Sequence, residues 1–502
     1  QSHAATETCP GHSTILTGAR PARTGIIANR WFDPDAPRAD KRIYCAEDER
    51  IPGTASSDGK YVPSLYHLRD SVMTLGERMK ASPAFAGTRV VAVAGKDRAA
   101  IMMGGRNTDQ MWFLDAGTKN RFVTLGKPGE ATAPEPVAAV NRALTARLAK
   151  PAPPVAMPAL CRARAVPVAL PPSTSVTVGD GRFAHKAGDV DSFRASPALD
   201  AATLDLASAF VKTMALGQRD GSDLLILGLS ATDYVGHRYG TEGGETCIQL
   251  MALDARLDVL FRQLDAAKID YAVALTADHG GHDIPERNRA RAVTEATRTP
   301  ATLSVSKLSD QISQELNLTA PVLRAADLDS IFIYRTVPEA RRAEVRARAT
   351  DLLMKTQLVQ QVFDRSEIQA TLDPTTPPET WTLAQRIKAS WDAKRSGDLI
   401  VALKPRVTPI PEETSSTGTY VATHGSPWDY DRRVPMLFWR KGMAGFEQPN
   451  SVETVDIAPT LAGLIGLAIP KGEIDGRCLD LIAGAASSCP PERKWFIGTD
   501  PG

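Results

Sequence analysis

Short apolar runs that stop abruptly at polar residues set the rhythm of this chain. The runs over 89–94, 224–229 and 271–275 end in GKDR, SATD and TADHGGHD. Continuous apolar strands with helical stretches between them read as a mostly parallel sheet covered by helices on both faces. In such sheets ligands sit beyond the carboxyl ends of the strands. Between the second and third runs, Leu250, Leu253, Leu257, Leu260, Phe261 and Leu264 recur at helical spacing, predicting a crossover helix whose apolar stripe faces the core. Further strands are predicted over 328–334, 399–403 and 434–439, and the fold class is α/β.

The stretch 150–172 is crowded with proline, which removes backbone donors and disfavours helix and central strand. It reads as a surface excursion within an insertion. The stretch 288–398 separates two motif clusters and is helix-rich in its middle, PEARRAEVRARATDLLMKTQLVQQVF, as expected of a second insertion or cap. The chain thus divides into a core segment over 1–125, a proline-rich insertion over 126–195, a core segment over 196–287, a cap over 288–398 and a core completion over 399–502.

A chain of 502 residues, 43% of them apolar, can bury a large core. Its 59 basic and 58 acidic side chains argue against a nucleic-acid partner or a polybasic membrane anchor. No apolar run approaches the roughly 18 residues of a spanning helix. The six cysteines lack C-x-x-C spacing, and Cys478 and Cys489 are close enough in sequence to form a small disulfide loop or to remain free thiols.

Candidate chemistry gathers on three of the eight histidines: His237 in SATDYVGHRYG, His279 in TADHGG and His424 in ATHGSPWDYD. Asp233 and His237, four apart, share one face of a helical turn and can close on one cation. Asp278 and His279 sit at a predicted strand end. Nitrogen and carboxylate ligands without thiolates suit a catalytic zinc that keeps an open position. Two such ions form a clamp for in-line displacement at phosphorus. Lys96 and Arg98, two apart on an extended segment, can point the same way towards a dianionic phosphoryl group. His282 is expected in an outer shell or facing solvent, and His3, His67 and His185 on the surface. The acidic stretch 44–49 lacks the alternating ligands and glycine turn of a calcium loop and reads as a solvated loop, so calcium enters only as an additional structural ion.

The opening ATETCPGHSTILTGARPARTGIIANRWFD, followed in order by GKDRAAIMMGG, FRASPALD, SATDYVGHRYG, TADHGGHD, ATHGSPWDYDRRVPMLFW and VDIAPTLAGLIG, resembles the secreted bacterial alkaline phosphatases that use a threonine nucleophile. They are relatives of the nucleotide pyrophosphatase/phosphodiesterases. That superfamily places its nucleophile two residues before a proline and ten before the glycine of an LTG box. Among Thr6, Thr8, Thr14 and Thr17, Thr8 alone satisfies both, with Pro10 and Gly18. A sulfatase is disfavoured, because Cys9 is out of register and His12 stands where an arginine is needed. The resemblance implies that Thr8, Asp278 and His279 hold one zinc, that Asp233, His237 and His424 hold the other, and that Asn29 donates to a non-bridging oxygen. It further implies a periplasmic or secreted monomer acting on small-molecule phosphate esters, with monoesters preferred because Lys96 and Arg98 suit two charges, and with diesters slower. Relatives carry an aspartate on an upstream strand, and nothing before Gln1 supplies it, so an incomplete sheet and metal site are expected. A non-catalytic phosphate- or metal-binding relative is the rival.

Overall fold

The computed structural model describes residues 1–52, 61–115, 120–126, 133–152, 154–172, 176–482 and 487–489. At its centre lies the strand Val90–Ala94, buried at every position. It runs parallel to Gln110–Leu114 on one side and Leu224–Gly228 on the other, with Phe122–Val123 added antiparallel at the edge. Because side chains alternate along a strand, Val90, Ala92 and Ala94 enter one hydrophobic cluster and Val91 and Val93 another. The first cluster holds the helices Thr8–Thr17 and Asp97–Gly104 through residues such as Leu16 and Ile101, and the second holds Pro197–Thr213 through Leu199, Leu206 and Phe210. The sheet is therefore covered on both faces.

The run read as a third strand forms Ala272–Thr276, which pairs antiparallel with Met436–Arg440. These two hydrogen-bond to each other and form a sheet of their own, while Ala274, Met436 and Phe438 still pack on the first cluster. The crossover helix spans Gly244–Ala266, but its stripe is only partly core: Leu260 is buried, whereas Leu250 is exposed. The helix lies chiefly against the helices Pro197–Thr213 and Ala231–Tyr239, which leave part of the stripe facing outward.

The second insertion builds an antiparallel sheet of its own, in the order Leu323–Ala325, Ser330–Ile333, Leu399–Leu403, Val359–Asp364. The helices Val305–Glu315 and Glu339–Lys355 share its core through Ile312, Val345, Ala349 and Leu353. The boundary expected at 398/399 therefore falls inside this sheet. The segment QLVQQVF, expected as helix, is strand, because its β-branched residues fill the slot beside Leu399–Leu403.

Cys478 pairs with Cys489, and two further disulfides join Cys9 to Cys45 and Cys161 to Cys247. The last ties the proline-rich excursion to the helix Gly244–Ala266.

Candidate active site and metal centre

Thr8 opens the helix Thr8–Thr17 and is buried. Its start is held by Asn29, whose Oδ1 accepts the Cys9 N–H at 2.8 Å while its own N–H donates to Glu7 Oε2 at 2.7 Å. With the carbonyl oxygen spent on the helix, the Asn29 amide keeps its NH2 as a donor. One turn on, Gly11 permits the helix to touch the loop after Ala272–Thr276, since a Cβ there would lie 2.0 Å from the Asp278 carbonyl oxygen. His12, four residues after Thr8, offers Nδ1 to the Thr8 carbonyl at 2.9 Å and to Asp278 Oδ2 at 3.0 Å. Gly11 and His12 thus set the distance between the threonine and that carboxylate.

Asp233 lies in the first turn of the helix Ala231–Tyr239, and three imidazole Nε2 atoms converge on its Oδ1: His237 at 3.4 Å, His424 at 3.4 Å and His279 at 3.8 Å. His279 Nε2 also lies 3.2 Å from Asp278 Oδ2. Each ring is oriented from behind by a backbone carbonyl that accepts from Nδ1: Ala422 for His237 at 2.8 Å, Gly280 for His279 at 2.8 Å and Thr6 for His424 at 2.7 Å. These bonds select the tautomer that aims the Nε2 lone pair inward, as a metal ligand requires. The His279 Nε2 is buried without a hydrogen-bond partner, and Asp233, His279 and His424 bring ligand atoms within 4.8 Å of one another. A cation fits this donor set. Burial pushes His237 down to about 4 and His279 to about 3, which keeps both neutral at neutral pH. Burial opposes ionisation of Asp233, yet His237, Lys96 and His424 hold its carboxyl well below the usual range.

Lys96 and Arg98 do not extend from one strand. Lys96 ends the extended segment after Val90–Ala94, and Arg98 lies in the first turn of the helix Asp97–Gly104, because the chain reverses there to pack on the sheet. Both still face the cavity. The Arg98 Nη2 lies 3.4 Å from Thr8 Oγ1, and the Lys96 ammonium pairs with Asp233. Arg98 is backed by a network legible only in three dimensions: its Nη1 lies 3.5 Å from the Tyr44 hydroxyl, and Asp97 accepts from both Tyr44 at 2.8 Å and Tyr61 at 2.6 Å.

The cavity measures about 1170 Å3 and is lined by Thr8, Asn29, Lys96, Arg98, Asp233, His237 and His424. Asp278 and His279 reach this group through His12 and Asp233. His282, expected in an outer shell or facing solvent, is buried with its ring 4.9 Å from Tyr430 and also borders the cavity. His3, His67 and His185 are buried, not superficial, and His67 pairs with Glu49 at 2.9 Å. Glu47 is likewise buried against Arg38, so the 44–49 stretch is not a solvated loop, and its acids form ion pairs with Arg38, Arg50 and His67. Glu7, missed in the sequence, lines the cavity beside Thr8, and burial raises its pKa to about 7.

A family model for type I phosphodiesterase/nucleotide pyrophosphatase matches residues 1–427. The chain is 53% identical over 493 residues to the alkaline phosphatase PhoK of Sphingomonas sp, covering 97% of this chain and 85% of that protein. It is 47% identical over 494 residues to the alkaline phosphatase PhoD of Zymomonas mobilis subsp. mobilis, covering 97% and 82% respectively. The fold matches the crystal structure of wild type alkaline phosphatase PafA with a TM-score of 0.78, over 96% of this chain and 91% of that one, at 24% identity.

Proposed function

This chain belongs to the type I phosphodiesterase/nucleotide pyrophosphatase family, within the alkaline phosphatase superfamily, and from that premise we propose that it is a zinc-dependent phosphate monoester hydrolase with Thr8 as nucleophile. The observation that carries this reading is the position of the buried Thr8 hydroxyl. It faces the Arg98 guanidinium at 3.4 Å, and its helix is bound through His12 to Asp278, beside His279 and its unpartnered Nε2.

Asp278, His279 and Thr8 would hold one zinc, and Asp233, His237 and His424 the other. Bound zinc supplies Lewis acidity, which lowers the pKa of a hydroxyl group and offsets charge on a departing oxygen. The chain's own residues do the rest. The Thr8 hydroxyl gives its proton to solvent, its oxygen bonds to phosphorus as the bond from phosphorus to the alcohol oxygen breaks, and the departing oxygen takes up a proton from solvent as the alcohol, leaving phosphothreonine. Water then cleaves that ester, releasing phosphate and restoring the hydroxyl. Arg98, Lys96 and the Asn29 amide sit where charge grows on the non-bridging oxygens, and interactions that strengthen in the transition state accelerate the step.

Arg98 beside the nucleophile and Lys96 lining the same cavity favour a dianionic monoester over a monoanionic diester, and diester cleavage is the slower reaction. Three disulfides support an oxidising location, periplasmic or secreted. Turnover of an aryl phosphate and of its methyl diester tests the proposal, with chelator and then with zinc restored. The monoester is expected to be faster and both activities to require the metal; a preference for the diester overturns the monoesterase reading.

A further inference from the structure

Outside the catalytic group, the antiparallel ribbon Arg30–Phe32 and Arg42–Tyr44 presents two different faces. Trp31 and Ile43 are buried on one of them. On the other, the register sets Arg30 opposite Tyr44 and Phe32 opposite Arg42, an alternation of guanidinium and ring. The Arg30 guanidinium lies 5.3 Å from the Tyr44 centroid, Arg42 lies 5.7 Å from Phe32, and Arg324, arriving from the cap's sheet, lies 3.7 Å from the same Phe32 ring. Arg30, Phe32, Arg42 and Arg324 border the cavity that contains Thr8, and Arg30 directly follows Asn29.

Among the described residues neither Arg30 nor Arg42 has a carboxylate partner, and Arg324 gives one N–H to the Asp40 carbonyl at 2.6 Å while its buried Nε has none. Asp40 takes the Arg42 backbone N–H at 3.2 Å and Arg38 at 3.3 Å, both through Oδ1, and Asp327 and Asp329 also line the cavity. Burial lowers the pKa of Arg324 and Arg42 nearby lowers it further, while Tyr334 and Asp40 oppose the shift. Like charges gathered on a wall of rings, with a buried donor unused, describe a place for an anion. A guanidinium fork matches phosphate geometry, and stacking on aromatic rings limits its freedom before the ligand arrives.

We propose that the Arg30–Arg42–Arg324 wall binds a second phosphoryl group on the alcohol side of the substrate, so that the enzyme selects phosphate monoesters whose leaving alcohol is itself phosphorylated. This selection rests on the monoesterase reading and names the substrate class of the same cavity.

Steady-state kinetics with butanediol monophosphate and butanediol bisphosphate test it on the zinc-loaded full chain. The parent protein is expected to favour the bisphosphate in kcat/KM by roughly tenfold or more beyond the twofold statistical advantage, as charge-assisted contacts imply. In an Arg42→Gln, Arg324→Gln double variant the ratio should fall towards about two, that statistical factor being all that remains once the fork contacts are gone. Arg42→Lys should keep an intermediate ratio, because it keeps the charge and loses the fork. Added salt should erode the parent's preference without recourse to any variant. Equal kcat/KM values in the parent, a ratio unmoved by salt, or a preference surviving in the double variant each overturn the wall's role while leaving the monoesterase reading standing. Failure to hydrolyse either ester sinks both.

Discussion

At the inner end of the cavity, every candidate histidine ligand is anchored from behind by main chain: His237 by Ala422, His279 by Gly280 and His424 by Thr6. Along the ribbon, Arg30 and Arg42 lie over aromatic rings and, among the described residues, are tied to no acid. The first region holds each ring in one orientation by a main-chain hydrogen bond, the fixed geometry that displacement at phosphorus needs. The second supplies charge over a surface, and charge tolerates small displacements. The inner end should therefore fail steeply on substitution and the ribbon by degrees.

The steepest loss is expected at the nucleophile. Thr8→Ala should lower monoester kcat/KM by about a thousandfold or more, because the group that attacks phosphorus is removed, while zinc analysis finds much of the metal still bound. An unchanged rate would refute the assignment. Next comes Gly11→Ala, which forces a methyl group into the Asp278 carbonyl. It should cost roughly 2–4 kcal/mol in denaturant unfolding and depress activity with it. Wild-type stability would show that the helix and loop separate freely, contrary to the contrast drawn above.

Arg98→Ala should slow monoesters by roughly a hundredfold and diesters less, since the lost interaction grows with charge on the phosphoryl group. Equal losses would remove the charge argument. Asp97→Asn, which weakens the Tyr44 and Tyr61 support of Arg98, should cost about tenfold in monoester kcat with little change in KM. A pure KM effect would mean that this support acts on binding alone.

The smallest effect concerns the helix carrying Asp233. Asp200 Oδ1 accepts the Ala231 N–H at 2.9 Å, and burial raises its carboxyl from 3.8 to about 7. Across that window the folded chain keeps a proton that the unfolded chain has released, so stability falls as pH rises from about 4 to about 7 and then levels off. Asp200→Asn should flatten that part of the profile by on the order of 1 kcal/mol per pH unit, and the buried, unpartnered Gln249 Oε1 can receive the new amide if that side chain turns over. Parallel profiles in urea unfolding would contradict the cause given.

Much of the inner end was legible because its geometry is local. Asp233 and His237 meet through one helical turn, and Asp278 and His279 follow from the rule that sites lie beyond strand ends. What was missed depends on residues far apart in the chain. Cys9–Cys45 and Cys161–Cys247 close separations of 36 and 86 residues, whereas Cys478–Cys489 closes 11. The ribbon's charged face appears only when Phe32 and Arg42 stand opposite each other. His12 carried a usable signal, four residues after Thr8 on a helix, yet its partner Asp278 lies 266 positions on from it. The expectation that Lys96 and Arg98 share one extended segment fails because the strand ends at Ala94 and a helix begins between them at Asp97.

Acid-quenched protein, taken during turnover of an aryl phosphate and mapped by peptide mass spectrometry, tests the central claim most directly. One phosphoryl group is expected on Thr8 in the parent protein, and none anywhere in Thr8→Ala. A phosphoryl group on a different residue, or continued turnover by the variant, would contradict it.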